Sequence, residues 1–190
     1  MPLPDSAVQW LSRVRWVRQH LQPDWPDVSA DTLLATLEQW LGPYLNGVSK
    51  ISQLTGVAWH TACSQLLDYA QQQQLEQLAP SHLTVPTGSR IALDYSGEQP
   101  VLAVRLQELF GQATTPRIAH GQVPVLLHLL SPAKRPLAIT QDLSSFWQNA
   151  WKDVRKDMRG QYPRHYWPDN PLDAEPTRRT KAADDRARKS

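Results

Sequence analysis

The sequence holds a single cysteine, Cys63, in 190 residues. A lone thiol cannot close an internal disulfide, and no second thiolate exists to build a Cys-based metal site, so a reducing compartment suits the chain. Glycine is also scarce, with eight against sixteen prolines, which points to many stiff loops. No apolar run approaches the roughly 20 residues that span a bilayer. The start, MPLPDSAV, lacks the basic-then-apolar pattern of a secretory signal. A cytoplasmic protein with no membrane partner is expected. Catalytic signatures are missing too: there is no Gly-x-x-x-x-Gly-Lys-Ser/Thr phosphate loop, no His-Glu-x-x-His, no Gly-x-Ser-x-Gly and no Cys-x-x-Cys. Neither catalytic nor metal-ligating residues are therefore assigned. His120 and His128 read as structural histidines in or beside strands. His60 and Cys63 share a helix face by spacing, but two ligands do not complete a tetrahedral site.

What is present is ordinary for a globular protein, with 41% hydrophobic and 20% charged residues, enough for one compact domain or two small ones. The net charge is only +2, but it is unevenly spread. Residues 152–190 carry eleven Lys/Arg and seven Asp/Glu, against nine and eleven in the rest. A basic C-terminal segment suits phosphate contacts, and a solvated helix face with a disordered tail gives the same count.

Apolar spacing predicts a helix over 6–21, with Ala7, Trp10, Leu11, Val14, Val17 and Leu21 on one side and Arg13 and Arg18 off it. A second helix is predicted from an N-cap at Ser29 to the stop at Gly42-Pro43, and a third from Thr55 to Leu78. After Pro80 the period changes. Arg90 to Tyr95 alternates with Ile91, Leu93 and Tyr95 on one face, and a turn at 96–99 leads to Val101–Arg105, which reads as a hairpin. Further β-like runs follow at 117–119, 123–130 and 137–140, with a short helix near 107–110. Five short strands with an inserted helix suggest a small OB-like barrel, a shape that often binds single-stranded nucleic acid.

From Asp142 to Gly160, the residues Leu143, Phe146, Trp147, Ala150, Trp151, Val154 and Met158 mark one helix face, with Asp142 as cap and Gly160 as a left-handed end. The prolines at 163 and 168 then force an extended strap containing Tyr162, Arg164, His165, Tyr166 and Trp167. Arg155, Lys156 and Arg159 crowd the end of this helix, where cations also interact with the helix dipole, so phosphate contact and helix stabilisation both account for them. Basic residues interleaved with aromatics fit phosphate contact and base stacking. Packing of Trp147, Trp151, Tyr162, His165 and Trp167 against the barrel, or docking on protein, accounts for the same composition.

The runs Leu83-Thr84-Val85-Pro86-Thr87-Gly88-Ser89, Leu106-Gln107-Glu108-Leu109-Phe110-Gly111, Leu129-Leu130-Ser131-Pro132, Arg135-Pro136, Thr140-Gln141-Asp142-Leu143, Phe146-Trp147, Asp153 to Gly160, Tyr162-Pro163, His165, Trp167-Pro168 and Pro176-Thr177-Arg178-Arg179 resemble, in order, the C-terminal region of the HrpB family of bacterial DExH-box ATP-dependent RNA helicases. The resemblance covers most of the chain and is most specific from Pro80 to Lys181. That family carries its phosphate loop and DExH motif in two motor domains upstream, and neither motif occurs in this chain. The resemblance thus implies a C-terminal fragment or split-off reading frame, with Met1 an internal methionine of a longer protein. No ATPase residue carries over, and no cofactor is expected here, ATP and magnesium belonging to the parent helicase.

The expected fold is α+β: a helical N-terminal subdomain (1–80), a small OB-like β-barrel (81–141), a long C-terminal amphipathic helix with its Pro/aromatic strap (142–180), and a disordered basic tail (181–190). The expected role is a non-catalytic accessory region that contacts single-stranded RNA and docks on the helicase motor domains. Arg90, Arg117, Lys134, Arg135, Arg155, Lys156, Arg159 and Arg164 form the pool for phosphate contacts. The alternative is a protein–protein docking module without nucleic-acid contact, anchored by Trp147, Trp151 and Trp167.

Overall fold

Helix α1 spans Asp5–His20 and buries Ala7, Trp10, Leu11, Val14 and Val17, the apolar face read from its spacing. It also buries Arg13, which the spacing placed off that face. The Arg13 guanidinium donates from Nε to the Ala79 carbonyl at 2.7 Å and from Nη2 to Glu76 at 2.6 Å, partners that satisfy a charge only 6% exposed. The computed structural model describes residues 3–189, and the chain divides into two compact units. One comprises Met1–Ser81 with Tyr95–Glu98, the other His82–Asp94 with Gln99–Ser190.

The helical unit is more broken than the spacing predicts. The second helix is two, α2 (Ala30–Ala35) and α3 (Leu37–Trp40), because Thr36 leaves helical geometry at ψ 14° and turns its hydroxyl back to the Thr32 carbonyl at 2.8 Å. The Ser29 cap is reinforced by Asp27, whose carboxylate accepts from the Ser29 N–H and the Thr32 hydroxyl. The Ser29 N–H first, then Thr32, holds the Asp27 carboxyl below its ordinary range. The third predicted helix separates into a 3-10 turn at Ile51–Gly56, α4 (Trp59–Ser64) and α5 (Tyr69–Leu78). Asp68 interrupts it by making a capping box with Gln71, its carboxylate taking the Gln71 N–H at 2.8 Å while the Gln71 side chain takes the Asp68 N–H at 3.1 Å. Cys63 is fully buried on α4 whereas His60 is exposed, so the two do not meet at a site.

In the other unit, β1 (His82–Thr84), β2 (Arg90–Asp94), β3 (Val101–Arg105), β6 (Leu126–Leu130) and β7 (Pro136–Thr140) form one sheet in the order β1-β2-β3-β6-β7. Strands β4 (Arg117–Ile118) and β5 (Val123–Pro124) pair separately. The expected small OB-like barrel is corrected to a sheet that does not close. All neighbours are antiparallel except β3 and β6, which run parallel; β1 and β7 are left as its two edges, and no pairing joins them among the described residues. The β3-to-β6 crossover carries a 3-10 turn at Leu106–Leu109 whose Leu106 and Leu109, with the following Phe110, are entirely buried. Glu108, also buried, accepts from Thr87 at 2.9 Å and Ser89 at 2.7 Å, which fixes the turn between β1 and β2.

After β7, Asp142 caps α6 (Leu143–Ser145) by accepting from the Ser145 N–H at 2.9 Å. The helix continues through a π turn at Phe146–Ala150 into α7 (Trp151–Gln161). Gly160 lies inside α7, so the expected left-handed stop there is corrected. The helix ends at Tyr162, before Pro163. Lys181–Lys189 forms α8, which replaces the expected disordered tail; Ser190 lies outside the described residues. Thr180 precedes a run rich in Ala, Lys and Arg, good helix formers that the charge count alone obscured.

Candidate functional site

The π turn adds one residue to the helical ladder and turns Trp147 and Trp151 to the same buried cluster. Phe110 lies 5.6 Å from Trp151, which is 5.5 Å from Trp147 and 6.4 Å from Trp167, centroid to centroid. These rings close the strap over α7. The Trp151 indole donates to the Asp169 carbonyl at 3.2 Å and the Trp167 indole to the Tyr162 carbonyl at 2.9 Å. Further on, the Gly111 N–H donates to the Pro171 carbonyl at 2.9 Å. Gly111 has φ +81°, a left-handed backbone that favours glycine at this crossing. The three tryptophans are each 7% exposed or less.

His165 sits half-buried within the strap, its Nδ1 3.2 Å from the Gln107 amide nitrogen, which can only donate. Burial pushes the imidazole below its ordinary pKa; a hydrogen bond with the Arg179 backbone opposes this, while Arg105 lowers it and Asp184 raises it by charge. Tyr162 donates its hydroxyl to Ser131 at 3.2 Å. That contact ties the end of α7 to the β6–β7 turn, where Lys134 adopts φ +61°.

The cations of the predicted pool do not form one patch. Arg90 is exposed on β2, opposite Thr84 of β1. Arg117 is exposed as well, but its guanidinium is held by the Gly121 carbonyl at 2.6 Å and the Gln122 carbonyl at 3.3 Å. No hydrogen bond or ion pair links Arg90 to Arg117 among the described residues. Lys134 and Arg135 are exposed on the β6–β7 turn, and Lys156, Arg159 and Arg164 are exposed on α7 and the strap, two segments that the Tyr162–Ser131 contact links. Arg155 belongs to the framework: its Nε donates to the Trp167 carbonyl at 3.0 Å and its Nη2 pairs with Asp169 at 2.6 Å. The end of α7 and the strap enclose a groove of about 340 Å³ lined by Arg155, Arg159, His165, Tyr166, Trp167 and Lys181. Neither Arg159 nor Lys181 is ion-paired among the described residues.

Sequence reasoning missed one lining cation, Lys181, and placed Tyr166 among the strap aromatics suited to base stacking. Lys181 is brought there by its backbone N–H, which donates to the Arg164 carbonyl at 2.9 Å. Tyr166 is 44% exposed while its neighbour Trp167 is buried, an alternation that extended backbone between two prolines allows. Chemically, such a groove offers two cations for a phosphate and an aromatic face for a planar ring.

Comparison with known proteins gives a consistent picture. A family profile described as ATP-dependent helicase C-terminal, HrpB_C, matches residues 40–171. The ATP-dependent RNA helicase HrpB of Escherichia coli (strain K12) is 51% identical over 172 residues, which make up 90% of this chain and 21% of that protein. A crystal structure of the E. coli DExH-box NTPase HrpB superposes with a TM-score of 0.83 at 48% identity, over 94% of this chain and 22% of that one. A crystal structure of the Escherichia coli DEAH/RHA helicase HrpB gives a TM-score of 0.69 at 47% identity, over 86% of this chain and 21% of that one. The chain therefore spans about a fifth of the length of these relatives.

Proposed function

Because this chain belongs to the ATP-dependent helicase C-terminal family, we propose that it serves as an accessory region of an ATP-dependent RNA helicase and contacts single-stranded RNA through exposed cations. The observation that carries this reading is the Tyr162–Ser131 contact, which links the segment bearing Arg159 and Arg164 to the turn bearing Lys134 and Arg135, with all four cations exposed. Nucleotide turnover, with ATP and magnesium, falls to motor domains outside this chain, since no phosphate loop or DExH motif occurs in it. Protein docking through Trp147, Trp151 and Trp167 loses support because all three rings are already buried within their own unit.

Counterion release makes such contacts salt-sensitive, at about 0.7 units of log affinity per log salt for each phosphate neutralised on a single strand. Fluorescence anisotropy with a short labelled single-stranded RNA tests this. The variant combining Arg135→Ala, Arg159→Ala and Arg164→Ala should bind about a hundredfold more weakly at roughly 0.1 M salt, with a slope shallower by about two units. Unchanged affinity and slope would overturn the reading. Arg155 is left intact because its removal unties Trp167 and Asp169.

A further inference from the structure

The groove beside α7 does not stand alone. Tyr166 and Lys181 also line a second groove of about 690 Å³, whose other walls include Asp173, Glu175, Asp184 and Asp185. The first groove also includes Asp169, which Arg155 pairs, so Arg159 and Lys181 keep it net cationic, and it adjoins the acidic groove across one exposed aromatic ring. Phosphate alone does not fit that pair, because the acidic half repels it. A nucleotide does: one end is an anion, the middle is a flat ring, and the far edge of most bases carries N–H donors.

Resting on the RNA reading above, we infer that the strap and α8 form a seat for one nucleotide of a single strand. Arg159 and Lys181 hold its phosphate, Tyr166 stacks on its base, and Asp173 and Asp185 accept from the base's exocyclic amino group. Asp184 is already engaged, taking the Thr177 hydroxyl at 2.6 Å. Asp173 takes the Asn170 amide at 2.6 Å, yet a carboxylate with two oxygens keeps room for further donors. The seat discriminates by base chemistry. Cytosine and adenine present an amino group to the carboxylates, whereas uracil presents carbonyl oxygens on either side of a single N–H and meets them with like partial charge.

Three labelled homo-oligonucleotides of cytidine, adenosine and uridine, titrated against the whole chain at one fixed low salt concentration, test the seat. The cytidine and adenosine strands should bind about fivefold tighter than the uridine strand. Tyr166→Ala should weaken cytidine binding by about fivefold or more, the usual worth of base–aromatic stacking; the ring is exposed, so the fold is undisturbed. Asp173→Asn with Asp185→Asn should remove the preference for cytidine over uridine without weakening uridine binding. Equal affinity for the three strands, a preference that survives the double Asp variant, or no effect of Tyr166→Ala would each overturn the seat. The wider RNA reading then stands if the Arg135, Arg159 and Arg164 variant still weakens all three strands, and falls with the seat if it does not.

Discussion

The helical unit and the sheet unit use tryptophan for different ends. In the helical unit Trp40 and Trp59 donate their indole N–H to the Leu33 and Leu54 carbonyls, so each ring ties its short helix to the element just before it. Trp16, which bonds the Glu98 carbonyl at 3.0 Å, is the long-range exception there. In the sheet unit Trp147 reaches back to the Gln112 carbonyl and Trp151 forward to the Asp169 carbonyl, while Trp167 closes locally on Tyr162. The first set joins elements adjacent in the chain, and the second fastens distant segments to the π turn and α7. Equal burial thus hides unequal structural reach: losing a local ring loosens one turn, and losing a fastening ring releases a segment.

Trp151→Ala against Trp40→Ala breaks that comparison most directly. Removing a buried aromatic costs about 3–5 kcal/mol, and urea unfolding should report a loss of that order for Trp151→Ala. Limited proteolysis separates the two rings. Trp151→Ala should expose the strap at 162–177 to cleavage, because its contacts to Trp167 and the Asp169 carbonyl are gone. Trp40→Ala should leave strap cleavage at the wild-type rate, and matching cleavage in both variants would contradict the distinction.

Among the described residues, the ion-paired Arg13 and Arg155 sharpen the comparison at smaller scale. The Arg13 side chain is 7% exposed and that of Arg155 is 22% exposed, with much more exposed acidic partners in both cases. Arg13→Ala leaves the Ala79 carbonyl without the Nε donor, a loss of about 1–3 kcal/mol. Arg155→Ala removes a partly solvated pair and one carbonyl contact, for about 1 kcal/mol. Unfolding midpoints in the reverse order would show that the strap, rather than the buried charge, is the more demanding element.

These contrasts also explain what could be read from the chain beforehand. The apolar face of 143–158 was legible because helical spacing persists through the π turn, and the Asp142 cap because it is local. The break at Asp68 left a visible signature, Asp68-x-x-Gln71, that a continuous apolar pattern overrode. Barrel closure was misjudged because a parallel β3–β6 pairing is set by the crossover, not by any strand's own alternation. Arg13 read as a surface cation, since its partner carbonyl lies at Ala79. At the candidate site, Arg159 and Arg164 were legible as charge beside aromatics, whereas Lys181 depends on a backbone bond to Arg164 that no local pattern encodes. Cys63 is entirely buried, and burial pushes its thiol up to about 11.

The smallest effect lies in His165, and it sets the strap apart by pH. Burial lowers its folded-state pKa below the ordinary 6.5, so the unfolded chain takes up the proton first as pH falls. Its contribution to stability is therefore fully present above about 6.5 and declines as pH drops through that value toward the folded pKa. Protonation also sets an imidazolium against the Gln107 amide, which has only hydrogens to offer at that nitrogen. His165→Asn should flatten the fall in unfolding midpoint between pH 7.5 and 5.5. A helical-unit control, His60→Asn, changes an exposed ring and should leave that fall as it is in the wild type. Equal slopes in both variants would place the pH response elsewhere in the molecule.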